Sequence, residues 1–347
     1  MRKSAIGVRR PGIVAASAVA ALAVVLGVAV PSDGTHLVAQ PTGADAGAGV
    51  ASGQGRGLAV GARPSVPVNP DPWATPLPAA DVQQEGSGTF LSDDQRADFV
   101  SRFGSTAALA LSDLDGHTVE VLGSDGGVPY AWSTAKVLAA TALLEAAGED
   151  QLEPEEQDAV SLALTESDND ALAEVIDAVG RRTEADFAGV LDYITELLRS
   201  SGDTSTTAVA TDSYSLGETQ WRLDDQAEFL AGVARGCVLA AEPAAYLLQT
   251  MGAVVEEQRW GLGQAESPAF KGGWDFDEDG RAYVRQFGLM TAADGNEYVA
   301  AVSIRGVVGD ADPETGFEQS EATLTAMAQW LREAVVTAPE PTKACTS

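Results

Sequence analysis

Residues 131–148 read AWSTAKVLAATALLEAAG and are apolar on nearly every face of a helix. A helix without a polar stripe cannot lie on a surface, so this one belongs in the middle of a domain, packed on all sides. Gly148 marks its end. Lys136 stands at its mouth, three residues after Ser133. The chain has only four lysines, Lys3, Lys136, Lys271 and Lys343, and the outer two lie near the chain ends. A sequence this sparing with lysine has set one of its two internal lysines against its most apolar helix.

The 347 residues carry a net charge of −30 with 45% hydrophobic content. Such a chain can bury a sizeable core. Its acidity keeps it soluble and repels phosphate backbones, so nucleic acid is not an expected partner. At the N-terminus, residues 1–12 hold Arg2, Lys3, Arg9 and Arg10 with no acid, and 13–30 are an uncharged apolar run. A basic segment before such a run is an export signal, which predicts an extracytoplasmic protein. The run is long for a cleaved signal and just long enough to span a bilayer. Pro31 argues against cleavage directly after it, while HLVAQ, ending at Gln40, offers a small-residue site. A cleaved signal and a retained anchor on the outer face of the cytoplasmic membrane both stay open. Cysteines outside the cytoplasm tend to oxidise, so Cys237 and Cys345 are expected to pair. Two unpaired thiols are the alternative.

Residues 31–88 are rich in Gly, Ala, Pro and Ser with no helical or strand period, as a disordered linker would be. The globular domain is expected over 89–337, with a short tail at 338–347. SDDQRADFVSRFG gives a first helix, with Ser92 as its cap and Gly104 as its stop. Two short apolar runs around DLDG predict a β-hairpin. EPEEQDAVSLALTE and ALAEVIDAVG predict helices separated by SDND, and 181–200 and 224–252 are helical by period. AFKGGW, YVRQFGLMTA and EYVAAVSIRG read as strands, and SEATLTAMAQWLREAVV as a closing amphipathic helix. Strands at both ends of a helical middle predict an α+β fold: an antiparallel sheet flanked by helices, with a helical lobe.

The chain has two histidines, His36 in the linker and His117 in the hairpin turn, and neither suits a Ser-His-Asp triad. The cysteines do not cluster as zinc ligands, and no phosphate-cradling glycine loop is present, so no metal and no cofactor is expected. DFDEDG, 275–280, matches half of a calcium loop but places Gln286 where a bidentate Glu is needed, and reads as an acidic turn. A serine nucleophile must then use another base. Lysine can serve when burial or a nearby cation lowers its pKa. Ser133 and Lys136, at i and i+3, share a helix face, with Ser133 near the helix N-terminus where developing negative charge is favoured. Ser167-Asp168-Asn169 lies between two helices, where a plain capping role is equally open. Lys271-Gly272-Gly273-Trp274 lies on a strand, and glycines there mark close approach by another backbone. The plain alternative is a bulge with a surface lysine.

In STAK, SDN and KGG, in this order and over roughly residues 90–336, the chain resembles the serine β-lactamase and penicillin-binding family, class A β-lactamases in particular. The resemblance implies that family's fold and its acyl-serine chemistry. It makes Ser133 the nucleophile and Lys136 its base. Ser167 becomes a proton shuttle polarised by Lys271, which would also attract a substrate carboxylate. Asn169 would bond neighbouring side chains or substrate, and the N–H groups of Ser133 and Trp274 would form an oxyanion hole. Arg285 is either a carboxylate anchor or a strand-surface charge. Two departures stand out. Gly272 replaces a Thr or Ser, and the Glu-x-x-Leu-Asn segment that supplies the deacylation base is not seen. Asp203, Asp212 and Glu218 lie in that region; Asp203 has about the right spacing, though a solvated loop acid is the plainer reading. The expectation is a monomeric hydrolase of β-lactams or related amides that deacylates slowly. A D-alanyl-D-alanine carboxypeptidase-like enzyme and a non-catalytic penicillin-binding-like module are the alternatives.

Overall fold

The computed structural model describes residues 90–341, apart from 117, 124–129, 149, 211–214, 267, 277–279 and 307–312. The export segment, His36, His117, Asp212 and Cys345 therefore lie outside the described residues. Cys237 is disulfide-bonded. Among the described residues no helix is long and apolar enough to cross a membrane.

Five strands form one antiparallel sheet in the order β2-β1-β5-β4-β3. They are β1 Ala107–Ser112, β2 Thr118–Gly123, β3 Ala269–Phe276, β4 Ala282–Thr291 and β5 Glu297–Arg305. The two N-terminal strands join the three C-terminal ones through the β1–β5 pairing, in which Leu109 faces Val302. Successive strand residues point to opposite faces, so the sheet sorts its side chains between two cores. Leu109, Leu111, Val284 and Val302 join Phe99 of α1 (Asp93–Phe103) and Leu324, Met327 and Leu331 of α8 (Pro313–Ala334). Ala108, Ala110, Phe287 and Ala301 face the other way, into the helical lobe.

The lobe comprises α2 Lys136–Ala147, α3 Pro154–Thr165, α4 Asn169–Thr183, α5 Phe187–Ser200, α6 Leu223–Ala234 and α7 Ala241–Met251. Helix α2 is its axis: Val137, Leu138, Ala139, Ala140, Ala142 and Leu143 are fully buried. The alanines let neighbouring backbones come close, and Thr141 satisfies its hydroxyl on the Val137 carbonyl at 2.7 Å. Removing a side chain such as Leu143 from this axis would cost about 2–5 kcal/mol.

Most elements fall where the sequence places them, with four differences. Residues 181–183 finish α4, and the helix expected from 181 starts only at Phe187, after Glu184 takes a left-handed φ of 55°. The span 224–252 is two helices, broken at 235–240, where Gly236 takes a left-handed φ of 73°. Helix α8 begins at Pro313, earlier than its apolar period. The helix expected from 131 opens instead with a 3-10 turn, Trp132–Ala135, and becomes α-helical only at Lys136.

Candidate active site

That 3-10 turn shapes the site. At three residues per turn, side chains at i and i+3 eclipse rather than splay. Ser133 and Lys136 therefore stand directly above one another, and the Lys136 Nζ lies 3.1 Å from the Ser133 Oγ. Trp132, just before the serine, has a φ of 45°, which turns the chain sharply into the helix. Ser133 keeps partial exposure, while Lys136 is only 2% exposed.

The SDN segment approaches from the α3–α4 junction. Asp168 caps α4, its Oδ1 accepting from the Ala171 N–H at 2.7 Å. Ser167 is held at φ 61°, a strained region for a non-glycine residue. This turns its carbonyl towards Lys136, whose Nζ donates to it at 2.6 Å. The Nζ also donates to the Asn169 Oδ1 at 2.7 Å and lies 3.3 Å from the Ser167 Oγ. The capping role and the site role thus coexist in one tripeptide.

Strand β3 closes the third side. Lys271 is fully buried, not a surface lysine, and its Nζ donates to the Ser167 Oγ and the Gly272 carbonyl, both at 2.9 Å. Gly273 is required by contact: a Cβ there would stand 2.7 Å from the Ser133 N, 2.9 Å from the Thr134 N and 3.0 Å from the Ala131 O. All three are backbone atoms with little freedom to yield, so β3 and the Trp132–Ala135 turn touch main chain to main chain. Gly272 faces the opposite side, towards the Trp260 ring and the Gln286 stem. Trp274 is half-buried beside Trp260.

Burial sets the electrostatics. It lowers the Lys136 amine from its ordinary 10.5 to about 8, against the opposing pull of Asp168. Burial, with the nearby Lys136, holds Lys271 well below the usual lysine range.

Arg285 is not a strand-surface charge. It pairs with Gly273 across β3–β4, is 1% exposed, donates to the Tyr130 carbonyl and lies 6.0 Å from the Trp132 ring centroid. Asp203 is not a solvated loop acid either, being 6% exposed. Its Oδ1 accepts from the Ser205 and Thr206 N–H groups at 2.8 and 2.9 Å, and it turns towards Asp225 on α6. Glu218 is exposed. Among the described residues, no carboxylate hydrogen-bonds to Ser133, Lys136, Ser167 or Lys271.

Sequence reasoning missed the supports of the Trp132–Ala135 turn. Buried Gln226 of α6 donates to the Thr134 Oγ1 at 3.2 Å, and the Ala131 N–H donates to the Thr219 carbonyl at 2.8 Å. Gln226 at a core position of an apolar helix was the available signal, since a buried amide needs partners.

No family model matches the sequence, and no curated protein matches it. Solved structures do match in fold. A class A β-lactamase from Bacteroides cellulosilyticus superposes with a TM-score of 0.54 at 14% identity, over 72% of this chain and 99% of that one. A β-lactamase from Chitinophaga pinensis gives 0.53 at 15%, over 70% and 98%. The TLA-3 extended-spectrum β-lactamase gives 0.52 at 12%, over the same shares. The chain has the β-lactamase-like α+β fold of these structures.

Proposed function

We propose that this protein is a Ser-Lys acyl enzyme acting on β-lactams or related amides outside the cytoplasm. The observation that carries the reading is the single hydrogen-bonded cluster of Ser133, Lys136, Ser167, Asn169 and Lys271. A neutral amine has two donors and one lone pair. The two shortest contacts of Lys136, to the Ser167 carbonyl at 2.6 Å and Asn169 at 2.7 Å, use its donors, leaving the lone pair for the Ser133 proton at 3.1 Å.

In this mechanism the Ser133 Oγ bonds the carbonyl carbon while its proton passes to Lys136. Negative charge on the carbonyl oxygen is met by the N–H groups of Ser133 and Trp274. As the carbon–nitrogen bond breaks, Ser167 gives its proton to the nitrogen and is restored from the lysine pair. Water then hydrolyses the ester. Among the described residues no carboxylate bonds to the cluster, and on this reading that last step is slow. This favours, as a second reading, a penicillin-binding cell-wall peptidase over an efficient β-lactamase. The N-terminal segment is proposed as the export signal or anchor, and Cys345 as the partner of Cys237.

The test pairs a fluorescent penicillin with a chromogenic cephalosporin, on the wild type and Ser133→Ala. Wild-type labelling that persists with little turnover, and none in Ser133→Ala, is the expected result. Fast turnover would point to an efficient β-lactamase, and a wild type that no acylating probe labels would end the enzymatic reading.

A further inference from the structure

Trp132, directly before Ser133, sits at φ 45°. A bulky residue keeps such a conformation only where its surroundings fix it. The segment 219–226 supplies a hold on each side. Before the strained residue, the Ala131 N–H donates to the Thr219 carbonyl at 2.8 Å. Thr219 is itself fully buried and fastened, its Oγ1 donating to the Val209 carbonyl and accepting from the Val209 N–H, both at 3.1 Å. After the strained residue, the Gln226 Nε2 donates to the Thr134 Oγ1 at 3.2 Å. The Thr134 hydroxyl in turn donates to the Ala131 carbonyl at 2.5 Å, and the Thr134 N–H donates to the same oxygen at 3.0 Å. One chain of bonds thus closes around Trp132 and Ser133.

The side chain at 226 is the unexpected member. Leu223 and Leu230, three before and four after it on α6, share its helix face and are buried, and Gln226 is 0% exposed between them. A leucine would suit that face, whereas a buried amide costs free energy unless its groups are bonded. The neighbours set which way the amide points. The Thr134 Oγ1 has given its hydrogen to Ala131, and the Trp221 carbonyl, 3.4 Å away, has none to give, so both face the NH2 end. The Oε1 is buried with no hydrogen-bond partner among the described residues. For packing alone this is a poor choice, and departures of that kind are expected where function requires them.

We propose that Gln226 is a positioning residue for acylation. Through the Thr134 Oγ1 it holds the Trp132–Ala135 turn at the setting that keeps the Ser133 Oγ 3.1 Å from the Lys136 Nζ. Gln226 touches neither Ser133 nor Lys136 and acts only through Thr134. This rests on the acyl-enzyme reading and adds to it a residue of α6, outside the STAK, SDN and KGG segments.

The experiment follows acylation of the full chain by a fluorescent penicillin after rapid mixing, over a range of probe concentrations. Wild type, Gln226→Leu, Thr134→Val and the double variant are compared. The labelled amplitude reports the fraction of folded, reactive molecules. The rate at saturating probe reports how well each folded molecule is set up to react. A purely structural residue moves the amplitude and leaves that limiting rate alone. The expected result for Gln226→Leu is a limiting rate about tenfold lower, with the half-saturating concentration unchanged, as a small displacement of the serine would give. Thr134→Val should lose at least as much, and the double variant should be no slower than Thr134→Val, because both changes remove the same bond. A limiting rate in Gln226→Leu within twofold of wild type overturns the proposal. So do losses that multiply in the double variant. If Gln226→Leu does not fold, Thr134→Val decides alone: a wild-type limiting rate there overturns the proposal, and a loss of tenfold or more with unchanged half-saturation supports it. If the probe does not label the wild type at all, it is the acyl-enzyme reading that has failed, and the positioning role falls with it.

Discussion

Two clusters in this molecule set a serine hydroxyl between ionisable groups of like sign. In one, the Ser167 Oγ lies 3.3 Å from the Lys136 Nζ and 2.9 Å from the Lys271 Nζ. In the other, the Ser205 Oγ lies 3.2 Å from the Asp203 Oδ1 and 2.7 Å from the Asp225 Oδ2. Both resist ionisation. Burial lowers the two lysines, and burial with the Asp203 charge raises Asp225 to about 7. The difference lies in where they face. The lysine cluster ends on the partly exposed Ser133. The aspartate cluster ends on its own loop, through the Ser205 and Thr206 amides, and on the first turn of α6. A shifted pKa becomes chemistry only when the group touches a reactive atom; otherwise it fixes a loop.

Replacing the base should separate the two clusters most sharply. Lys136→Ala is expected to slow acylation by roughly 10³-fold, within the usual range for losing a general base. Rates of probe labelling measure this, and a near-wild-type rate would remove Lys136 from the mechanism. Gly273→Ala forces a methyl into the backbone of the nucleophile turn. About 10²-fold slower acylation is expected, since a misplacement near 1 Å has that effect. An unchanged rate would mean that β3 does not set the position of Ser133.

The pH dependence comes next. In the proposed mechanism Lys136 acts as base only when neutral, so acylation should rise about tenfold per pH unit below 8 and level off above it. A flat profile from pH 6 to 9 would contradict a titrating Lys136. The aspartates carry the opposite sign into stability. Asp225 binds its proton more tightly folded than unfolded, so stability falls as pH rises from about 4 towards 7. Asp225→Asn should therefore be more stable than wild type at pH 8, by on the order of 2 kcal/mol, with that fall flattened. Thermal melts across pH decide the point. The smallest effect is expected from Asp203→Asn, with acylation within about twofold of wild type because its carboxylate faces α6. A loss approaching that of Lys136→Ala would make the two clusters one site.

Sequence exposed the lysine cluster because its chemistry is local. Ser133 and Lys136 are three residues apart, and SDN and KGG are compact tripeptides in recognisable contexts. Periodicity likewise marked the strands and the buried axis α2, where apolar side chains dominate. The aspartate cluster stayed hidden because its members are 22 residues apart, with Ser205 as the link, and nothing local signals burial of a loop acid. The environment of Arg285 was hidden for the same reason: its partners, Tyr130 and Trp132, come from a turn over 150 residues earlier. Even the 3-10 turn escaped the pattern, because its apolar residues suit either helix type.

That turn has a kinetic consequence. Ser133 stands just outside the regular hydrogen-bond ladder of α2, whose core from Val137 to Leu143 is sealed in the lobe. Amides of Trp132 and Ser133, at the partly exposed end of the turn, can then exchange with solvent hydrogen through small local openings, while those of Leu138–Leu143 wait for the whole domain to unfold. Ser133 and the sealed segment of α2 would be adjacent in sequence yet separated by orders of magnitude in time.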